Sequence, residues 1–184
     1  LTMESSKFSS SRGHVIYVRD MLSRYQPDAL RYFIAVAGPE SSDADFTWSE
    51  FKRRTNDELV AGWGNLVNRM IGFANKRFDG VIPQPGELSD EDKEILAKSV
   101  AALTSVGDLI DAVKLRSALQ EAMRVVQEAN GYLDRRAPWK LIKEDPADAA
   151  TAVYTILRVI DNLKIALAPF LPFTAQQLHT MLGY

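Results

Sequence analysis

The sequence predicts an all-α fold, an antiparallel helical bundle. Apolar residues recur at three- and four-residue spacings through most of the chain, proline- and glycine-rich breaks separate these stretches, and no useful strand alternation follows Val18. At 184 residues, 46% apolar and 25% charged, the chain is long enough for one sizeable core. No apolar run approaches the roughly 20 residues that span a bilayer, and the first residues lack the basic-then-apolar plan of a signal peptide. A cytoplasmic protein without a membrane partner is therefore expected. The chain contains no cysteine, and its two histidines, His14 and His179, lie far apart, so no metal site is expected. A net charge of −2 argues against indiscriminate binding to nucleic acid; no DNA partner is expected, and any RNA contact must be a local patch.

In chain order, Thr2 to Gly13 is serine-rich and reads as a mobile loop, and the β-branched His14 to Val18 as a brief extended piece. Asp20 to Tyr25 suits a short helix. Pro27 opens another with Ala29, Leu30, Tyr32, Phe33 and Ile34 on its apolar face, closed by Gly38 and Pro39. After a polar connector at Asp43 to Thr47, Trp48 opens a long helix to about Phe78. Its stripe is Leu59, Trp63, Leu66, Met70 and Phe73; Asn65, Arg69, Gly72 and Lys76 follow the same rhythm about a quarter turn away. Gly62, Gly64 and Gly72 each cost about 1 kcal/mol against alanine in a helix, which suggests close approach of RNA or of a neighbouring helix. Asp79 to Glu87 is a loop. Ser89 caps the next helix, with Asp90, Glu91 and Asp92 favouring its dipole, Ile95, Leu96, Val100 and Leu103 as apolar positions, and a bend at Gly107. Leu115, Leu119, Ala122, Val126, Ala129 and Leu133 form a stripe that ends near Pro138. Val153, Ile156, Ile160, Leu163 and Leu167 form the cleanest stripe, and Thr174 to Leu182 a last short helix.

Three stretches carry chemistry. Lys7-Phe8-Ser9-Ser10-Ser11-Arg12-Gly13 resembles the Lys-Met-Ser-Lys-Ser loop of class I aminoacyl-tRNA synthetases, and Pro27-Asp28-Ala29-Leu30-Arg31-Tyr32-Phe33 stands where that family places its next helix. The resemblance implies that Lys7, Ser9 and Ser11 face the phosphates of ATP, where cations and hydroxyl donors stabilise the charge of the leaving pyrophosphate. Ser10 replaces the usual second lysine, so a compensating charge must come from elsewhere or activation is slower. The other class I signature, of the His-Ile-Gly-His type, is absent, as is a nucleotide-binding run of strands. The chain reads as a C-terminal piece of a longer enzyme, inactive by itself. ATP with Mg2+ would serve the parent enzyme, with no cofactor expected in this piece.

Gly62 to Arg69 resembles the anticodon-reading helix of methionyl-tRNA synthetases, with Asn65 and Arg69 one turn apart. An amide offers donor and acceptor, and a guanidinium can bond or stack on an unpaired base. Trp63, on the apolar stripe, is expected in the core. Ala129 to Leu141 resembles the same family's anticodon domain, and the resemblance implies that Trp139, held by Pro138, stacks on the first anticodon base, cytosine. Arg135, Arg136, Lys140 and Lys143 would add phosphate attraction.

The resemblance thus implies a segment 1–46 carrying the loop and a stem contact, and a domain 47–184 that reads the CAU anticodon of tRNA(Met). The partners would be that anticodon stem-loop and the catalytic domain of the same protein. The parent would join methionine to tRNA through methionyl-adenylate. Two alternatives stay open: a sister class I synthetase of the valyl, isoleucyl or leucyl type, which would not prefer CAU, and a helical interaction module, which would not bind tRNA in a salt-dependent way. Tyr154, Tyr184 and His179 receive no role.

Overall fold

The computed structural model describes residues 2–40 and 43–184. The chain runs β1 (Thr2–Met3), β2 (Ser6–Lys7), α1 (Val18–Leu22), α2 (Pro27–Ala37), β3 (Asp45–Phe46), α3 (Trp48–Arg53) and α4 (Asn65–Arg77). It continues with α5 (Asp90–Asp111), α6 (Leu115–Arg136), α7 (Pro138–Glu144), α8 (Pro146–Leu167) and α9 (Pro172–Met181). Between α3 and α4, Arg54–Gly64 winds in wider π turns, so Trp48 to Arg77 is one continuous helical path of changing pitch.

The helical bundle matches expectation, and its main core is largely aliphatic. α8 is its axis, with Val153, Ile156, Ile160, Leu163 and Leu167 all buried, and Trp63, Leu66 and Met70 pack into the same core. Three apolar-face positions are corrected: Ile34, Val100 and Leu115 are 55%, 56% and 42% exposed. The buried line of α5 is Asp92, Ile95, Ser99, Ala102 and Val106 instead. α5 runs on through Gly107 to Asp111. Among the described residues the expected close approach is not seen at Gly62, Gly64 or Gly72: a Cβ at Gly64 would meet only the Leu59 carbonyl of the same helical path, at 3.7 Å. A Cβ at Gly72 meets nothing within 4 Å, and one at Gly62 touches only the Met123 methyl, at 3.7 Å.

The N-terminal segment differs most from expectation. The serine-rich stretch pairs into a three-stranded sheet of order β2-β1-β3, with Thr2 opposite Lys7 antiparallel and Thr2 opposite Asp45 parallel. Glu4 and Ser5 both have positive φ and make the two-residue hairpin turn, without the Asn-Gly signal that usually betrays one. Asp45 locks it, accepting from the Thr2 hydroxyl at 2.6 Å and the Ser5 amide at 3.1 Å. The connector thereby supplies a strand. Within His14 to Val18 only a single bridge to Ser9 forms, and α1 already begins at Val18.

A second, smaller core joins Met21, Ala29 and Phe33 to Phe51 of α3, with Phe33 edge-on to Phe46 at 5.3 Å and to Phe51 at 5.4 Å. The polar residues of the Pro27–Phe33 stretch tie α2 to distant parts of the chain. Asp28, buried, accepts from the Thr174 amide at 2.7 Å at the start of α9. Arg31 donates to the carbonyls of Pro169 and Phe170, and Tyr32 to Glu58 at 2.9 Å.

Candidate nucleic-acid interface

α4 and α7 meet beside the end of α6. The Arg69 guanidinium lies over the Trp139 ring, 4.7 Å from its centroid. That contact is a cation–π pair, which favours Arg over Lys because the planar fork can also stack. Asp134 flanks the arginine at 3.8 Å. Asn65 sits exposed one turn earlier on α4. Trp139 is half-buried, resting on the main core, and Pro138 is buried beneath it.

The angle of this presentation is set by Ala137, which is left-handed at φ 38 and ψ 61 and joins α6 to α7. Pro138 then occupies the first turn of α7, where its missing N–H costs nothing. From the other side, Asn130 donates to the carbonyl of Gly62 at 3.2 Å and of Val126 at 3.0 Å, fixing the π-wound segment against α6 just before Asn65.

The basic residues divide. Lys140 and Lys143 are exposed, and Arg135 is 63% exposed while paired with Glu91 at 2.6 Å. Arg136 turns inward, with only 15% of its side chain exposed, bonded to Asp148 at 2.5 Å and 3.6 Å from Asp92. Asp92 is fully buried and also accepts from the Tyr132 hydroxyl at 2.6 Å and the Ser89 amide at 2.9 Å. Burial alone would raise the Asp92 carboxyl; the hydrogen bonds from Tyr132 and Ser89 and the charge of Arg136 outweigh it and hold it below the ordinary carboxylate range. Asp92, Asp134, Tyr132 and Asp148 were not singled out as site residues from the sequence. The signal for Asp92 was its place three residues before Ile95 on the buried line of α5.

In the N-terminal segment, Lys7 is exposed at the end of β2. The Ser9 and Ser11 hydroxyls lie 3.2 Å apart across the turn Ser10–Arg12, which left-handed Gly13 closes. Arg12 is exposed in that turn. The His14 ring contacts the Met3 carbonyl at 2.9 Å and pins the base of the loop to β1. Among the described residues no group of three metal-ligating side chains gathers, and no helix is long and apolar enough to cross a membrane.

Residues 82–184 match the family described as the anticodon binding domain of methionyl tRNA ligase. The chain belongs to that family. Residues 1–71 match the class I (M) tRNA synthetases, so the Lys7–Gly13 loop and the α2 stretch fall in the synthetase part and Trp139 in the anticodon-binding part. Methionine–tRNA ligases of Chloroflexus aggregans and Beutenbergia cavernae are 56% and 57% identical over the whole chain. The chain spans about 30% of the length of these curated relatives. Among solved structures, Mycobacterium tuberculosis methionyl-tRNA synthetase in complex with methionyl-adenylate superposes with a TM-score of 0.91 at 25% identity, covering 97% of this chain and 36% of that one. The anticodon-binding family covers α5 to α9, Asn65 and Arg69 fall in the synthetase match, and the structural likeness extends over 97% of the chain.

Proposed function

We propose that this chain is the part of a cytoplasmic methionine–tRNA ligase that reads the CAU anticodon of tRNA(Met), while the remainder of the enzyme makes methionyl-adenylate from ATP and methionine and transfers methionine to the tRNA. The observation that carries the reading is the Arg69–Trp139 pair, with Asn65 one turn away. It gathers on one partly exposed edge a ring and a guanidinium plane laid over it, on which an unpaired base can stack, and polar groups that can read that base's edge. Pro138 stiffens the approach, and Arg135 and Lys140 supply phosphate attraction that the net charge of −2 does not. In this reading residues 47–184 are the anticodon domain, and residues 1–46 carry the activation loop and touch the tRNA stem.

In the loop, Lys7 and the paired hydroxyls of Ser9 and Ser11 suit phosphate oxygens, donors facing an anion. When bound in the complete enzyme, ATP with Mg2+ supplies the adenylyl group and its charge neutralisation. Lys7, Ser9 and Ser11 hold the phosphates, and exposed Arg12 stands in the same turn as Ser10 to supply the cation that Ser10 lacks.

The test is binding of this chain to a CAU anticodon stem-loop and to one altered at the first base, across a salt series. A CAU preference that Trp139→Ala reduces by about 1–3 kcal/mol, the size of one stacked base, supports the reading. Binding indifferent to the base and to Trp139 would falsify it.

A further inference from the structure

We propose that Arg136 is a positioning residue for Trp139 and not a phosphate contact, and that with Asp92, Asp148 and Tyr132 it fixes the direction in which α7 leaves α6. The inference rests on the anticodon-reading function proposed above. Arg136 is the last residue of α6, immediately before the left-handed Ala137 and three residues before Trp139. Its guanidinium reaches two other helix starts at once. Asp148, in the first turn of α8, takes Nη2 at 2.5 Å, and Asp92, in the first turn of α5, lies 3.6 Å from Nε.

The Asp92 carboxylate is itself fixed, and the helix turn that carries Asp148 is capped. Asp92 exchanges hydrogen bonds with Ser89 in a reciprocal cap, 2.9 Å from the Ser89 amide to Asp92 and 3.2 Å from the Asp92 amide to Ser89, and receives the Tyr132 hydroxyl from the preceding turn of α6. Asp145 caps α8, accepting from the Ala147 and Asp148 amides. The guanidinium donates to Asp148 through Nη2 and sets Nε, which makes no hydrogen bond among the described residues, 3.6 Å from Asp92 as an ion pair, whereas a lysine is a single point charge. The end of α6 is thus tied to α5 and α8 on the inside, and Ala137 and Pro138 carry that fixed direction outward to Trp139. A side chain that is 85% covered and committed to two carboxylates is poorly placed to meet a phosphate, although the chain sequence Arg135-Arg136 invites that reading.

Three variants separate the two roles: Arg136→Lys, Asp148→Asn and, as a control, Lys140→Ala. Each is measured for affinity to the CAU stem-loop and to the stem-loop altered at the first base, over a salt series. The ratio of the two affinities does not depend on the fraction of protein folded, so a loss of stability alone leaves it unchanged. A positioning role predicts that Arg136→Lys and Asp148→Asn each reduce the ratio roughly tenfold, as misplacement of a recognition group does, with the slope of log affinity against log salt unchanged. Lys140→Ala should flatten that slope by about 1 and leave the ratio alone.

A phosphate contact predicts the reverse for Asp148→Asn: releasing Arg136 from its partner would tighten binding to both stem-loops with the ratio preserved. That outcome, or an Arg136→Lys chain with full discrimination, overturns the positioning role. An unaltered chain with no preference between the stem-loops overturns the functional reading itself and this inference with it, so the two failures are told apart by the first measurement.

Discussion

Two tyrosine–carboxylate networks in this molecule use the same groups to different ends. In one, Tyr32 donates to Glu58, which with Glu50 is shared between Arg53 and Arg54 along the path from α3 into the π-wound segment. In the other, Tyr132 donates to Asp92, which Arg136 and Asp148 complete where α5, α6 and α8 converge. The Glu50 and Glu58 side chains keep 34% and 26% exposure; in the second network Asp148 keeps 38% at its outer edge, while Asp92 at its centre keeps 1%. A half-wet network can exchange partners and answer to water; a dry one has a single satisfactory arrangement, because any lost partner leaves a buried charge. The dry carboxylate, Asp92, faces Arg136, three residues before Trp139 and, under the proposed function, at the point that sets the direction of α7.

The largest expected contrast comes from removing each carboxylate. Asp92→Ala leaves the Tyr132 hydroxyl without its acceptor, leaves Arg136 with Asp148 alone and opens the cap of α5, and should cost about 3–5 kcal/mol for the three losses together. Glu58→Ala leaves Arg53 and Arg54 with Glu50 and should cost about 1 kcal/mol after allowance for solvent screening. Urea unfolding of the two variants measures both, and equal losses would break the comparison.

A smaller effect should appear in acid. Since the folded Asp92 pKa lies below the ordinary value, its contribution is present above the unfolded carboxyl value of about 4 and is lost as pH falls through the lower folded one. The stability difference between the unaltered chain and Asp92→Asn should therefore shrink on acidification below about pH 4. Glu50, drawn down to about 2 by its hydrogen bonds from Arg53 against a burial effect that raises it, with the nearby charge of Arg54 helping, has the same sign. Its exposure makes the consequence weaker. In alkali the networks should agree. Burial, then the hydrogen bond to a carboxylate, raises both Tyr32 and Tyr132, so the stability each confers is full below about pH 10 and is lost as pH rises towards the folded values. Tyrosinate absorbance should show two tyrosines that titrate only as the chain unfolds.

The smallest contrast is with salt. Going from low salt to about 1 M, where the screening length is about 3 Å, should shrink the Glu58→Ala penalty by a few tenths of a kcal/mol and leave that of Asp92→Ala unchanged. Parallel salt responses would show that the two networks see the same water.

Much of the bundle was legible because helical stripes are set by a period that solvent cannot blur. The α8 stripe is buried throughout, and Trp63 lies in the core as its place on the stripe implied. The candidate interface was legible in its parts, Asn65, Arg69 and Trp139, yet nothing in the spacing said that Arg69 would lie on the indole ring. That contact depends on how α4 and α7 cross, a tertiary outcome. The N-terminal sheet escaped because each strand has two residues and its turn lacks the usual glycine, leaving no alternation to read. Arg136 was assigned to the outside because a run of two arginines looks like a basic patch. The balancing carboxylates, Asp92 and Asp148, are 44 and 12 positions away in the sequence, and their link is invisible until three helix ends are brought together.

Ala137 deserves a different accounting from the rest. A non-glycine residue at φ 38 pays a backbone strain of order 1 kcal/mol, which glycine at the same place would relieve. Glycine would also admit many more backbone directions at the hinge, and under the proposed function the Trp139 ring would then search for its base. By holding a strained alanine the chain gives up a little folding stability and keeps the entropy of that search out of the binding step, so recognition begins from a joint that is already set.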